Sequence, residues 1–339
     1  MKVWWYILGW CIWCAEALAQ EILPIGFWSQ PQALSPAFVG LTDGKGRALF
    51  THSFRPATGF LSGSSTWAGV EAPLSFVNLI GGVGGYFCSD VAGAWRVQKG
   101  ILSFAYEVPL GARLRYNHIR AGVAAGFVNR SIEPGDIFFE DQFDGRGFSR
   151  PTGEATERAT LWHADYAIGA MYYRTLKVPG NPEVVPFGGF SISRLNRPSI
   201  GLLVQRAERL SMFWSGYGGA RIYTRTPFQF VISLLYARSN QSNWIGGTGM
   251  VEFVLYEGGY WFTRPLGSVM AGFSLRARDQ YALMAGFNLQ KGLTLGIAYS
   301  LLTRRTTTPT SFGGIQVAMQ YQLGYSYKER GVVYPFPNF

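Results

Sequence analysis

The residues of this chain that could do chemistry are few and scattered. His52, His118 and His163 are far apart, and none has a neighbour at metal-ligand spacing. Cys11 and Cys14 lie in a leading apolar run, which leaves Cys88 alone with no internal disulfide partner. Gly-x-Ser-x-Gly and a phosphate loop are missing, and no Ser–His pair for acyl hydrolysis can be placed. Gly81-Gly82-Val83-Gly84-Gly85 looks like a nucleotide loop, but it falls inside a predicted strand rather than between a strand and a helix. Glycine there marks strand bending or the close approach of another backbone. The sequence therefore predicts no catalytic centre, no metal and no cofactor.

Ionisable residues gather in two other settings. Between Ser131 and Leu161 stand Glu133, Asp136, Glu140, Asp141, Asp144, Glu154 and Glu157. Carboxylates can hold Ca²⁺, but Glu140-Asp141-x-x-Asp144 lacks the one-three-five alternation of a calcium loop. A solvated, partner-facing loop is the better expectation, with Glu140, Asp141 and Asp144 as its candidate contacts. The second set is Glu71, Glu107, Arg120, Arg221, Glu252 and Arg276, which share the inner face of the predicted strands. An ion path is lined by rings of one sign. Mixed signs predict structural ion pairs across a lumen, and Cys88 is expected to pack near the same face.

The elements that must position these groups are strands. From Ile315, apolar Ile315, Val317, Met319, Tyr321, Leu323 and Tyr325 alternate with Gln316, Ala318, Gln320, Gln322 and Gly324. Successive strand side chains point to opposite faces, so one face is greasy and the other wet. Leu293 to Leu301, Phe228 to Tyr236 and Leu102 to Val108 repeat the pattern. About fourteen strands are predicted, beginning near Gly46, Ser65, Leu79, Gly100, Tyr116, Ala164, Val184, Leu210, Phe228, Gly247, Ser268, Tyr281, Leu293 and Gly314. Charged residues are only 15%, below the roughly 25% of a soluble domain. No run approaches the roughly 20 apolar residues of a membrane helix. The fold class is an all-β, transmembrane antiparallel β-barrel, with outer-membrane lipid as one partner. The formal charge of +10 is spread along the chain without a Lys/Arg block, so nucleic acid is not expected.

Residues 1–19 read as a signal peptide: Lys2, a short apolar run and a small-x-small site at Ala17-Leu18-Ala19. Residues 20–44 are expected to form a strap or plug, because Pro36 sets extended geometry before it. Residues 45–327 are assigned to the barrel, with a long extracellular loop at 131–161, and 328–339 to a tail. Short turns near Val77, Gly111, Thr226 and Lys291 are placed on the periplasmic side.

Several segments, in order, resemble the PorP/SprF family of type IX secretion system outer-membrane proteins. They are Phe27-Trp28-Ser29-Gln30 with Leu34-Ser35-Pro36-Ala37-Phe38-Val39-Gly40, then Ala68 to Leu74, Ser89-Asp90-Val91-Ala92-Gly93 and Gly126 to Ile132. Asp141-Gln142-Phe143, Leu195-Asn196-Arg197-Pro198 and Tyr217 to Arg221 continue the series. Ser35 stands where the family has Asn, and Arg194 where it has His. The resemblance implies a role without catalysis: secretion, surface anchoring of an adhesin-like partner through its type IX C-terminal domain, gliding motility, and contact with other secretion components. Phe27, Gln30, Pro36, Ala37 and Gly40 become candidate docking residues. A different expectation, from the basic balance and Arg120, Arg221 and Arg276, is a barrel that transports a small apolar or anionic solute.

Overall fold

The computed structural model describes residues 29–42, 44–55, 63–76, 79–111, 117–132, 159–177, 182–199, 209–224, 226–240, 242–256, 265–277, 280–289, 292–302 and 313–324. The leading segment 1–28, the acidic connection 133–158 with Glu140, Asp141 and Asp144, and the tail 325–339 lie outside the described residues.

The strands are β1 (Gly46–Arg55), β2 (Gly63–Phe76), β3 (Leu79–Ala92), β4 (Trp95–Pro109), β5 (Asn117–Ile132), β6 (Ala159–Arg174) and β7 (Glu183–Ser193). They continue as β8 (Phe213–Tyr223), β9 (Phe228–Ser239), β10 (Ser242–Tyr256), β11 (Pro265–Arg276), β12 (Gln280–Leu289), β13 (Leu293–Leu302) and β14 (Ile315–Leu323). Each pairs antiparallel with its sequence neighbours. β1 pairs with β14, from Gly46 opposite Leu323 to Phe54 opposite Ile315, and this seam closes a fourteen-strand barrel. Closure leaves no strand edge to satisfy, the condition for crossing hydrocarbon with strands. Among the described residues no helix is long and apolar enough to cross a membrane.

Side-chain period two sorts the wall. Leu102, Phe127, Leu234, Leu283, Ile297 and Tyr321 are exposed outside, while Ser103, Val128, Ser233, Ala282, Ser300 and Gln320 are buried inside. The wall's inner face is therefore polar or small over much of its height, and its outer face is apolar. At the β3–β4 hairpin Ala92 opposes Trp95, so two residues turn the chain, and Gly93 takes φ +58° there.

The sequence places most strand starts within a few residues. Three strands begin five residues earlier than expected: β4 at Trp95 rather than Gly100, β6 at Ala159 rather than Ala164, and β10 at Ser242 rather than Gly247. Segments such as Trp95-Arg96-Val97-Gln98-Lys99 do not alternate cleanly, yet backbone pairing carries them on. β5 reaches Ile132 and β6 starts at Ala159, so the long connection spans 133–158 rather than 131–161.

Candidate functional site

The chain just before β1 fills part of the lumen. Pro31 opens a four-residue helix, α1 (Pro31–Leu34), and Pro36 opens a 3₁₀ turn over Pro36–Phe38. Proline suits a first helical position, where its missing N–H costs no hydrogen bond. Ser35 between them is extended, as a residue before proline prefers, and its Oγ accepts the Ala37 N–H at 3.3 Å. Gly40, at φ +77°, turns the chain back toward β1. Every residue from Ser29 to Thr42 is buried except Ala33, which is half-buried. So short a segment has no core of its own; the wall buries it.

Inward glycines make the room. A Cβ on Gly122 would lie 2.5 Å from the Pro36 carbonyl carbon and 2.6 Å from the Ala37 nitrogen. On Gly84 it would meet Val39 Cγ2 at 2.7 Å, and on Gly69 Gln32 Nε2 at 2.8 Å. On Gly82 and Gly169 it would strike Val39 O and Ser35 Oγ. The Gly81–Gly85 run thus lets a second backbone lie against β3. Apolar contacts finish the seat: Leu34, Ala37, Phe38 and Leu41 pack with Met171, Tyr173, Val185, Phe187, Phe213, Tyr217 and Leu235. The Phe38 and Tyr217 rings are 4.7 Å apart.

Buried backbone groups need partners, and the wall's charges supply them. Arg120, 2% exposed, donates from Nε to Ala37 O at 3.0 Å and from Nη2 to Val39 O at 2.5 Å. Its Nη1 pairs with Glu107 Oε2. The other Glu107 oxygen accepts from Tyr173 Oη at 3.0 Å and lies 2.8 Å from His118 Nδ1. His118 and Tyr173 are stacked, 4.7 Å between centroids. Glu71 accepts the Gly40 N–H at 3.1 Å and pairs with Arg47. Ser191 Oγ donates to Leu34 O at 2.7 Å, and Gln30 Nε2 to Thr51 Oγ1 at 3.2 Å. Each charge is thus compensated by an opposite charge or a backbone dipole, the condition under which ions persist in a low-dielectric interior.

The remaining inner-face charges form separate groups. Arg221 Nη2 pairs with Glu252 Oε2 at 2.9 Å and donates to Gln229 at 3.1 Å, while Ser268 donates to Glu252 at 2.7 Å. Arg276 lies over the Trp244 ring, 4.7 Å from its centroid. Glu71, Glu107 and Arg120 therefore converge on the plug, whereas Arg221, Glu252 and Arg276 engage residues of the wall. Gln30, Pro36, Ala37 and Gly40 are buried against this chain's own wall, and Phe27 lies outside the described residues. Cys88 is buried. Sequence reasoning missed Arg47, His118, Tyr173 and Ser191; inward parity on β1, β5, β6 and β7 was the available signal. Among the described residues no three metal-ligating side chains converge.

A closed antiparallel barrel, greasy outside and ion-paired within, is an outer-membrane β-barrel of the Gram-negative type. Residues 27–321 match the family described as type IX secretion system membrane protein PorP/SprF, and the chain belongs to that family. Solved structures show likeness to the barrel alone. The CymD monoaromatic hydrocarbon channel is 10% identical, with a TM-score of 0.48 over 89% of this chain and 94% of its own. BamA from Haemophilus ducreyi lacking POTRA domains 1–3 is 8% identical, with a TM-score of 0.40 over 82% of this chain and 70% of its own. The β domain of the Bordetella autotransporter BrkA is 11% identical, with a TM-score of 0.36 over 83% of this chain and all of its own. No individually curated protein matches the chain in sequence.

Proposed function

We propose that this barrel is a non-enzymatic component of type IX secretion that holds an exported partner at the cell surface through the partner's C-terminal signal domain. The observation that carries this reading is the lumen occupied by the chain's own N-terminal segment, clamped by Glu71, Arg120 and Ser191. A barrel so filled suits a scaffold better than a passage. The three arginines that suggested an anion path are engaged: Arg120 with Glu107, Arg221 with Glu252, and Arg276 over Trp244. With an even strand number both chain ends lie at one mouth, which we assign to the periplasm. The opposite mouth, carrying the 133–158 connection, then faces outward. Its acids Glu140, Asp141 and Asp144 are the proposed encounter surface, where charge speeds association more than it deepens affinity.

Two measurements test the reading. Purified protein in planar bilayers is expected to show no large, steady conductance; an open channel in the wild type would favour solute transport. Isolation of the protein from outer membranes is expected to bring an exported protein with it, and the triple alanine variant of Glu140, Asp141 and Asp144 is expected to retain less. Absence of any exported protein with the wild type would end the anchoring reading.

A further inference from the structure

Near the mouth that carries the 133–158 connection, the outer face of the wall changes character over five adjacent strands. His52, Thr66, Ser89, Gln98 and Asn129 each stand fourth from that end of β1, β2, β3, β4 and β5. Register sets them side by side: His52 opposes Thr66, Thr66 opposes Ser89, Ser89 opposes Gln98, and Gln98 opposes Asn129. They share parity with exposed Phe50, Val70, Phe87, Leu102 and Phe127, so the row faces away from the lumen. His52 is exposed and the other four are half-buried, so every member is reachable from outside. On β9 to β13 the residues fourth from the same end are Tyr236, Ile245, Phe273, Leu283 and Tyr299, all exposed and aromatic or aliphatic. An outer-membrane wall ordinarily carries an aromatic girdle at its interface with the headgroups. Here five strands carry hydrogen-bonding groups instead.

The next outward row down the wall is Phe50, Ala68, Phe87, Gly100 and Phe127, again in register. Ring and small residue alternate. Neighbouring strands lie about 4.8 Å apart, so rings on alternate strands stand roughly 10 Å apart, with Ala68 or Gly100 as the floor between them. A Cβ on Gly100 would have nothing within 4 Å. Each gap suits a hydrocarbon chain flanked by phenyl rings, and polar groups stand directly above it. The polar row holds no Asp, Glu, Lys or Arg. Its hydroxyls and amides each donate and accept, and His52 Nδ1 lies 2.9 Å from Thr66 Oγ1. Trp162, opposite Asn129 and 65% exposed, continues the row with an indole face. A sugar fits such a surface: it is uncharged, rich in hydroxyls that donate and accept, and has C–H faces that pack on an aromatic ring.

We infer that β1 to β5 hold an outer-leaflet glycolipid, its sugar head on the row from His52 to Asn129 and its acyl chains in the gaps at Ala68 and Gly100. The site depends on the orientation assigned above, which puts this row in the outer leaflet, and not on the anchoring reading.

The full chain, purified in lauryldimethylamine oxide, is titrated with digalactosyldiacylglycerol, and native mass spectrometry counts the lipid held. Binding is expected to saturate at a small fixed number of lipids per barrel. Phosphatidylglycerol, which has chains but a charged head, and lactose, which is a sugar without chains, are expected to bind far more weakly. Two variants probe the two parts of the site. Thr66→Val with Gln98→Leu removes hydrogen-bonding groups, while Gly100→Trp fills a gap and leaves the row intact. Each is expected to weaken digalactosyldiacylglycerol binding by about fivefold, on the scale of one hydrogen bond. Ile245→Ala, on the opposite wall, is expected to change nothing. Heat-modifiable gel mobility is required to match wild type in all three. Binding that never saturates, or equal binding of phosphatidylglycerol, means a lipid coat without a site and overturns the inference. Full binding by both variants, or an equal loss in Ile245→Ala, overturns it too. Orientation is read separately from Asn240→Cys, in the turn between β9 and β10 at the same mouth. In intact cells this cysteine is expected to react with a membrane-impermeant maleimide. Reaction only after the outer membrane is opened would overturn the outer-leaflet assignment. Retention of an exported protein is a different measurement, so anchoring stands or falls independently of this site.

Discussion

On β2, β3 and β5, inward Gly69, Gly84 and Gly122 face the plug: a methyl group there would strike Gln32, Val39 or Pro36. At β10 and β11, a methyl group on inward Gly246 or Gly272 would meet first the wall itself, at Leu275 O and Trp244 or at Gly249 O and Met250. The charges divide in the same way. Glu71 and Arg120 bind plug backbone, whereas Arg221 and Glu252 bind each other and their neighbours. The outer faces of the two halves are alike, both studded with exposed aliphatic and aromatic side chains. A barrel strand is thus written twice: once for lipid, under one rule all the way round, and once for whatever lies inside, under rules that change from strand to strand.

The largest effect is expected where a charge serves both wall and plug. Arg120→Leu removes two hydrogen bonds to plug carbonyls and leaves Glu107 without its guanidinium. It is expected to destabilise the barrel by about 3–5 kcal/mol, read by urea unfolding in detergent. Arg221→Leu should cost less, because Glu252 keeps Ser268 and is partly solvated. If the two cost the same, the plug adds nothing to the half it touches.

The outer face comes next. Ile297→Arg on β13 and Leu102→Arg on β4 each put a charge into lipid at mid-strand. Each is expected to cost about 2–4 kcal/mol in bilayer refolding, and by similar amounts. A large difference between them would break the claim that the exterior is uniform around the barrel.

Smaller still is the glycine contrast. Gly122→Ala forces its new methyl into Pro36 and Ala37 and is expected to cost about 1–3 kcal/mol. Gly100→Ala, on the outer face with nothing within 4 Å, should stay within about 0.5 kcal/mol. Equal stabilities in the same unfolding assay would mean that the plug yields freely. Last, Ser191→Ala deletes the bond to Leu34 O and the hydroxyl contact with Ser215, which keeps its own bond to Leu34 O, and should lower stability by about 1 kcal/mol.

Much of the wall was legible in the sequence because lipid and lumen impose a period of two. Phe228, Phe230, Ile232, Leu234 and Tyr236 all face outward, as their alternation requires. Legibility failed where that contrast fades. Trp95 to Lys99 pairs as strand without a clear apolar side, so β4 was begun too late. Arg47 went unnoticed because the next inward residue, Leu49, is apolar and interrupts the polar row. The plug's seat was harder to read. Its key acceptors, Ala37 O and Val39 O, are backbone atoms that every residue has, and no side-chain pattern marks them. Gly82 and Gly84 carried the one visible trace, a gap in the wall whose occupant lies some forty residues away in sequence.

The plug hangs from β1 with only a few residues between Thr42 and Gly46, yet its seat is made by strands far along the chain. Leu34 O is bound by Ser191 and Ser215, residues separated from it by 157 and 181 positions. β1 is also the strand that closes the circle with β14. The segment has its seat only where β6, β7 and β8 stand together, through Met171, Ser191 and Ser215. Contacts of such long sequence separation are slow to form. β1 thus belongs both to the seam that closes the barrel and to the tether of what the barrel holds, so closing the wall and filling it are one event for this strand.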